Sequence, residues 1–286
     1  MTEHNIKRCQ PLLGTFVEIN LRGIMSELEL IHWSTIAFDE IARIHQALSF
    51  HQADSDLSAL NRALLTAPST AFLLSTDLAK VMLFAETLFK KTQGYYDISI
   101  ALALVASKHL PDHLFAETPL ENYQPLGSFA DITIFDNYIC SRRPVIFDLG
   151  GIAKGYAVDQ AISLLPEGIR GSINAGGDMR VIDWQKQKVE VKYSTNTGKK
   201  ITMSNRALAT SASYYKQQGS QYFNPKTNRY MKINGSISVF ATEAMHADAL
   251  TKATLMMTRK DAKQLLKAYN AIAISINRFG FSRQLS

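Results

Sequence analysis

Cysteine and long apolar runs are both scarce in this chain of 286 residues. The two cysteines, Cys9 and Cys140, lie far apart in the sequence, which indicates free thiols in a reducing compartment rather than a disulfide framework. No apolar stretch reaches the roughly 18 residues that a transmembrane helix requires. The opening residues MTEHNIKRC also contain no apolar run of signal-peptide length, so we expect a cytoplasmic protein.

Two nucleotide-binding signatures are also missing, because the glycines follow neither the Gly-x-Gly-x-x-Gly nor the Walker A spacing. No internal repeat and no long linker rich in Pro, Gly or Ser divides the chain. With 46% apolar and 20% charged residues, the chain can bury a sizeable core. We expect a single domain over residues 1–286 with two lobes, in which residues 1–9 form a flexible N-terminus.

The net charge of +6 does not by itself indicate nucleic-acid binding, because the basic residues are scattered and no recognition motif accompanies them. We therefore expect no nucleic-acid partner. The densest basic cluster consists of Lys186, Lys188, Lys192, Lys199 and Lys200. A solvated hairpin face is the simpler interpretation of this cluster, and a docking surface for an acidic partner is the alternative.

Helical and strand-like patterns are mixed along the sequence. Apolar spacing predicts helices over Leu28–Phe50 and Ser75–Lys91. Alternating residues predict strands over Val189–Tyr193 and Ile237–Phe240. This mixture indicates an α+β fold.

The most informative segment is DLGGIAKGYAVD, residues 148–159. It follows the apolar run 144–147, which predicts a strand, and it leads into a helical pattern. A helix N-terminus offers unpaired N–H groups and partial positive charge, and paired glycines let a phosphate approach the backbone. Asp148 and Lys154 add an acceptor and a cation, so an anionic ligand fits this segment. A tight strand-to-helix turn without a ligand is the alternative.

A second glycine pair occurs in GSINAGGD, residues 171–178. It repeats the pattern of a short strand that ends in two glycines beside a carboxylate, Asp178. The two glycine turns could flank one site. Taken alone, however, Gly176 and Gly177 followed by MRVI favour a β-hairpin turn.

Together with further motifs, these segments resemble the ApbE family of FAD:protein FMN transferases. The similarity spans roughly residues 10 to 260 and includes seven segments in the order of the family. They are PLLGTFVEI (11–19), DSDLSALN (54–61), GYYD (94–97), DLGGIAKGYAVD (148–159), NAGGD (174–178), ATS (209–211) and ADAL (247–250).

The resemblance implies an α+β domain with a mainly antiparallel sheet. It also implies an enzyme that binds FAD, cleaves its pyrophosphate with the help of Mg²⁺ and transfers FMN to a Thr or Ser of a partner flavoprotein, releasing AMP. Asp248 and Lys154 are the implied catalytic residues. The implied flavin-binding residues are Leu13, His51, Tyr95, Tyr96, Asp97, Asp148, Lys154 and Phe223.

The implied metal ligands are the carbonyl of Gly151, the carboxylate of Asp248 and a hydroxyl one helical turn later. This chain has Lys252 at that hydroxyl position, and an ammonium cannot coordinate a metal. Three alternatives follow. Lys252 forms an i,i+4 ion pair with Asp248, its ammonium takes the place of the metal, or Thr251 supplies the hydroxyl while Lys252 points away.

A second departure lies in residues 220–228, where the family usually has Ser-His-x-x-Asp-Pro-x-Thr-Gly. Gln221 replaces the His and cannot act as an acid or base, Asn224 replaces the Asp, and Asn228 replaces the Gly. Asn tolerates the positive φ that such a turn requires. These changes leave two alternative functions open: a noncatalytic flavin-binding or scavenging protein, and an FAD pyrophosphatase.

Overall fold

The computed structural model describes residues 2–115, 126–212 and 222–285. Within these residues the helices are α1 (Glu27–Leu48), α2 (Asp56–Thr66), α3 (Thr76–Lys91), α4 (Ala101–Ala106), α5 (Ala153–Ser163), α6 (Ala244–Met256) and α7 (Arg259–Ala268). The strands are β1 (His4–Leu12), β2 (Thr15–Gly23), β3 (Phe72–Leu73), β4 (Ile132–Phe135), β5 (Tyr138–Ser141), β6 (Arg170–Ala175), β7 (Asp178–Val181), β8 (Lys188–Lys192), β9 (Gly198–Thr202), β10 (Ala207–Ala212), β11 (Tyr222–Asn224), β12 (Arg229–Met231), β13 (Ser236–Ala241), β14 (Ile272–Ile276) and β15 (Ser282–Leu285).

The chain divides into two units. Unit 1 comprises residues 1–45, 154–220 and 232–286, and unit 2 comprises residues 46–153 and 221–231. Unit 1 contains an eight-stranded sheet in the order β1-β2-β6-β7-β10-β13-β14-β15 and the separate pair β8-β9. All of these strand pairs are antiparallel. The predicted α+β class with a mainly antiparallel sheet is therefore confirmed.

One side of the large sheet contributes to an apolar core that also includes strands β8 and β9. Its buried members are Val181, Val191, Met203, Leu208, Phe240 and Ile276. Helix α6 packs against β10 and β13. Strand β13 is buried along its whole length, so the predicted strand at 237–240 belongs to the interior of the sheet.

Unit 2 combines α2, α3 and α4 with the three-stranded sheet β3-β5-β4 and the hairpin β11-β12. Helix α2 begins within the DSDLSALN segment, where the Ser55 side chain accepts a hydrogen bond from the N–H of Ser58 at 3.0 Å. This N-cap satisfies one of the N–H groups that a helix start leaves unpaired.

The predicted helices at 28–50 and 75–91 agree with α1 and α3, and the predicted strand at 189–193 agrees with β8. The expected flexible N-terminus differs from the structure, because residues 4–9 belong to β1 and pair with β2. Arg8 further fixes this strand by donating to the hydroxyl of Ser34 at 2.6 Å and to that of Thr35 at 2.7 Å on α1. None of the helices in the described residues is long and apolar enough to cross a membrane.

Candidate functional site

The segment before the first glycine turn is buried from Val145 to Phe147, but it is not a strand. The predicted strand at 144–147 is therefore wrong. The recorded backbone bonds of this segment do not form a strand ladder. The carbonyl of Pro144 accepts from the backbone N–H of Gly127 at 2.6 Å, and the backbone of Phe147 bonds to a side chain. Asn61 accepts from the N–H of Phe147 at 2.8 Å and donates to its carbonyl at 2.9 Å. The N–H of Asp148 then donates to the carbonyl of Ile98 at 2.9 Å.

The glycine turn that follows is held by its own aspartate. The N–H of Gly150 donates to Oδ1 of Asp148 at 3.2 Å. The N–H groups of Ile152 and Ala153 both donate to the carbonyl of Leu149, which starts the helical turn that continues as α5. The predicted helix after the glycine turn is thus confirmed, and it begins at Ala153.

Lys154, in the first turn of α5, lies between two buried carboxylates. Its Nζ is 2.7 Å from Oδ2 of Asp178 and 3.5 Å from Oδ2 of Asp248. Both aspartate side chains are almost entirely shielded from solvent, with exposures of 3% and 0%. Lys252 also contacts Oδ1 of Asp248. We refer to Lys154, Asp178, Asp248 and Lys252 as the lysine–aspartate cluster.

Burial and mutual charge shift the pKa values of this cluster. Burial opposes the charge of Lys154, but attraction by Asp178 and Asp248 outweighs it and raises the pKa of the lysine. Burial and repulsion by Asp248 raise the pKa of Asp178. Burial also opposes the charge of Asp248, yet the two lysines hold its pKa below the usual range. Both sequence-predicted catalytic residues, Lys154 and Asp248, therefore belong to one cluster of strongly interacting charges.

Close packing of α5 against α6 positions Asp248. The N–H of Gly155 donates to Oδ2 of Asp248 at 3.4 Å. A Cβ atom at position 155 would lie only 2.2 Å from the carbonyl oxygen of Ala244, so this approach requires glycine. The first turn of α6 is thereby held directly against the first turn of α5.

The structure distinguishes among the alternatives for Lys252. Its ammonium is bonded to Asp248, which agrees with an i,i+4 pair and rules out a lysine that points away. Thr251 is buried, and its hydroxyl lies 2.7 Å from the hydroxyl of Ser211 and donates to the carbonyl of Asp248 at 2.7 Å. The Thr251 hydroxyl, one of the expected metal ligands, therefore forms hydrogen bonds with Ser211 and Asp248.

These donors do not fit a bound Mg²⁺. Magnesium requires several hard oxygen ligands in near-octahedral geometry. Here each carboxylate of the cluster contacts an ammonium group, and a cation would be repelled by Lys252. Across residues 2–115, 126–212 and 222–285, no group of three or more His, Cys, Asp or Glu is arranged to hold a metal.

Asp178 is the member of the cluster that the set of predicted site residues missed. It begins β7 directly after the second glycine turn, where Ala175 of β6 pairs with Asp178. Gly176 and Gly177 have φ values of 63° and 105°, so the favoured β-hairpin is confirmed. The available signal was the carboxylate after the second glycine pair, because the turn also places that carboxylate against Lys154.

The aromatic residues predicted to bind flavin lie in unit 2. Tyr96 is buried and its N–H donates to the hydroxyl of Thr92 at 3.0 Å. The ring of Tyr95 lies 5.8 Å from Nζ of Lys226. Phe223 is also buried, and its ring meets Tyr230 edge-on with centroids 5.2 Å apart.

Three further residues predicted to bind flavin, Asp97, His51 and Leu13, are in different environments. Asp97 accepts from the N–H and the hydroxyl of Ser99 at 2.8 and 2.6 Å, but burial outweighs these bonds and raises its pKa. His51 is exposed, and its backbone N–H donates to the hydroxyl of Ser49 at 3.1 Å. Leu13 lies in unit 1, in the turn between β1 and β2, with a φ of 56°.

The departures in residues 220–228 have structural explanations where the chain is described. Asn224 accepts from the N–H of Lys226 at 2.9 Å and from that of Thr227 at 3.3 Å, which is the turn that an aspartate would also form. Asn228 has a φ of 54°, as expected for the usual glycine position. Gln221 lies outside the described residues.

The antiparallel sheet, the glycine turn and the lysine–aspartate cluster define an α+β protein with a candidate anion site at a helix N-terminus. A profile of the ApbE family matches residues 13–276, and the chain belongs to this family. An FAD:protein FMN transferase of Haemophilus influenzae is 24% identical over 262 residues, which cover 82% of this chain and 75% of that protein.

Two solved structures show the same fold. The flavin transferase ApbE of Vibrio cholerae has a TM-score of 0.79 and 21% identity, with 99% of this chain and 97% of that chain covered. The ApbE protein of Thermotoga maritima has a TM-score of 0.80 and 19% identity, with 98% and 97% covered. These structures confirm the fold, and the match to the family profile confirms the predicted family.

Proposed function

We propose that this protein is an FAD:protein FMN transferase. It binds FAD and transfers the FMN moiety to a Thr or Ser hydroxyl of an acceptor flavoprotein. The observation that carries the proposal is Lys154, which two buried carboxylates hold in the first turn of α5 directly after a glycine turn. The relative from Haemophilus influenzae, which bears the name of this activity, supports the proposal at the level of the family.

The reaction is a phosphoryl transfer. The acceptor hydroxyl oxygen forms a bond to the phosphorus of the FMN half, the bond from that phosphorus to the bridging oxygen breaks, and AMP leaves with the bridging oxygen. The hydroxyl proton is released to solvent or a base. Such a reaction depends on neutralising the phosphate charge and on positioning the acceptor hydroxyl in line with the leaving group. It does not require a covalent bond between the enzyme and the substrate.

The roles of individual residues follow from this chemistry. Lys154 neutralises negative charge on the phosphates, and Asp248 positions that lysine. Asp148 accepts from the flavin, and Tyr95, Tyr96 and Phe223 provide flat apolar faces that suit the isoalloxazine or adenine rings. Leu13, His51 and Asp97 complete the proposed flavin-binding set. Because the donors do not fit Mg²⁺, no step is assigned to a metal.

Two other functions would use the same proposed flavin-binding residues. A noncatalytic flavin-binding protein would keep these contacts, and the replacement of a family histidine by Gln221 favours it. An FAD pyrophosphatase would pass FMN to water and need no acceptor protein. The two ammonium groups of the lysine–aspartate cluster favour the two enzymatic functions, because phosphoryl transfer requires positive charge at the pyrophosphate.

The deciding experiment follows AMP release and covalent flavin in a mixture of this protein, FAD and a threonine-bearing acceptor flavoprotein, with and without Mg²⁺. AMP together with labelled acceptor supports the transferase, and an acceptor with Thr→Val at the flavinylation site must remain unlabelled. AMP with free FMN indicates a pyrophosphatase. Intact bound FAD with two different acceptors indicates the noncatalytic binder.

Variants test the role of the cluster. Lys154→Met should lower the transfer rate by about 10²–10³-fold, the usual effect of removing one group that stabilises transition-state charge. The matched control is Lys260→Met, because Lys260 is an exposed lysine of α7 in the same unit and lies outside the basic cluster of β8 and β9. Equal rates for Lys154→Met and the control would contradict the assignment of Lys154.

A further inference from the structure

We propose that Lys252 and Lys154 form a two-ammonium site that binds the pyrophosphate of a flavin dinucleotide without a divalent cation. The inference rests on the proposed function, because it concerns how this chain would hold the same substrate. Lys252 is the residue whose charge disfavours Mg²⁺ at the cluster. The same charge can bind the pyrophosphate in place of the metal.

Charge balance is the first argument. Two lysines and two aspartates make the cluster formally neutral, and both lysines contact Asp248. With a neutral residue at position 252, the cluster would carry one excess negative charge and would repel a pyrophosphate unless a cation were added. Lys252 supplies that positive charge from within the chain.

The lysines of the cluster are more exposed to solvent than its aspartates. The side chains of Lys154 and Lys252 retain 26% and 18% exposure, whereas those of Asp178 and Asp248 retain 3% and 0%. The carboxylates therefore lie behind the lysines. An anion that approaches from solvent meets the cations first, and the carboxylates hold those cations in place from the interior.

Donor capacity is the third argument. An ammonium group carries three N–H donors. Within the described residues, Lys252 makes one hydrogen bond, to Oδ1 of Asp248. Two N–H donors of Lys252 are therefore available for phosphate oxygens. A hydrogen bond between an ammonium and a phosphate is charge-assisted and stronger than a neutral one.

The test measures FAD binding by flavin fluorescence, in excess EDTA and in Mg²⁺, for the wild type, Lys252→Met and Lys252→Thr. The wild type should have the same Kd within about twofold in both conditions. Lys252→Met should bind FAD about tenfold more weakly in EDTA, because one charge-assisted bond is lost. Lys252→Thr should be equally weak in EDTA and should regain affinity when Mg²⁺ is added.

Mn²⁺ binding, followed by electron paramagnetic resonance, gives a readout that is independent of flavin. The wild type should bind no Mn²⁺ at the cluster, and Lys252→Thr should bind it. Lys260→Met is the control for a general loss of positive charge and should match the wild type. Circular dichroism of each variant checks folding, and the wild-type comparison of EDTA with Mg²⁺ requires no variant.

The outcomes separate this inference from the proposed function. FAD binding that requires Mg²⁺ in the wild type, or unchanged binding by Lys252→Met, would overturn the two-ammonium site and leave the transferase proposal intact. Absence of FAD binding in both conditions would overturn both proposals. Metal-independent FAD binding without any transfer would support the site and remove the transferase.

Discussion

The guanidinium of Arg180 donates to Oδ1 of Asp159 at 2.7 Å, and this ion pair joins β7 to α5. The same carboxylate accepts from the backbone N–H of Ala244 at 3.0 Å and of Met245 at 2.8 Å. Asp159 therefore caps the N-terminus of α6 from a different helix. The residue at the N-cap position, Glu243, makes no capping hydrogen bond with its side chain.

Asp159 thereby connects the three elements that carry the lysine–aspartate cluster. Helix α5 carries Lys154, β7 begins with Asp178, and α6 carries Asp248 and Lys252. Burial raises the pKa of Asp159, although the backbone donors and Arg180 act in the opposite direction. The carboxylate is thus costly to bury, and its partners offset only part of that cost.

Asp159→Asn should lower the free energy of unfolding by about 3 kcal/mol, because it leaves Arg180 without its charge partner and α6 with a weaker cap. Urea unfolding at neutral pH measures this loss. Glu3→Gln is the control, since it removes an exposed ion pair with Arg170 and should cost less than about 1 kcal/mol. Equal losses for the two variants would contradict the capping role.

The sequence predicted the elements whose residues repeat at a regular spacing. Helices α1 and α3 follow from apolar spacing along each helix, and the hairpin at Gly176-Gly177 follows from local turn chemistry. The segment at 144–147 is not the strand that the apolar run predicts, because the backbone of Phe147 bonds to the side chain of Asn61 and the carbonyl of Pro144 accepts from Gly127. No local pattern reveals a backbone satisfied by a distant side chain.

In the candidate site too, local sequence patterns predict only some of the residues that come together. The glycine turn and the resemblance to a known family predicted Lys154 and Asp248 as site residues. In the structure Nζ of Lys154 lies 3.5 Å from Oδ2 of Asp248. Asp178 and Asp159 lie within the family-like motifs, but the motifs do not predict them to be site residues. Their roles depend on contacts between elements that are distant in the sequence, and such contacts leave no spacing signal.

Asn61→Ala should lower the free energy of unfolding by about 2–4 kcal/mol, because the N–H and carbonyl of Phe147 would lose their partner in a buried position. Urea unfolding measures the loss. FAD affinity should also fall, since Phe147 precedes Asp148. The matched control is Gln46→Ala, which removes an exposed side-chain bond to Asp54. A loss no larger than that of the control would show that the segment is held by other contacts.

Asp131 should make stability depend on pH in the acidic range. Its carboxylate accepts from Arg143 at 2.7 Å and from the N–H of Ser128 at 3.0 Å, and the bond from Arg143 is the main reason why its pKa lies below the usual 3.8. Because the folded pKa is lowered, the stabilisation is fully present above pH 3.8 and is lost as the pH falls through the folded value.

Asp131→Asn should therefore cost about 1–2 kcal/mol at pH 7, and the difference from the wild type should shrink as the pH falls below 4. Urea unfolding across this pH range measures the difference. Asp136→Asn, in the exposed turn between β4 and β5, should change stability little at any pH. A difference between wild type and Asp131→Asn that stays constant with pH would exclude the charged interaction as its source.

Leu13 combines backbone strain with a proposed role in flavin binding. Leu12 of β1 pairs with Thr15 of β2, so Leu13 and Gly14 form a two-residue hairpin turn with φ values of 56° and 67°. A turn with two positive φ values favours Asn-Gly, and a leucine there costs about 1–2 kcal/mol. Strained residues of this kind often lie at functional sites.

Leu13→Asn should therefore raise the free energy of unfolding by about 0.5–1 kcal/mol and at the same time weaken FAD binding. Gly14→Ala is the matched control. A Cβ there meets no atom within 4 Å, so this variant adds backbone strain alone and should only destabilise. Thermal unfolding and FAD titration separate the two effects. Unchanged FAD affinity in Leu13→Asn would remove this residue from the flavin site, whereas a loss of stability would show that side-chain packing outweighs the strain of the turn.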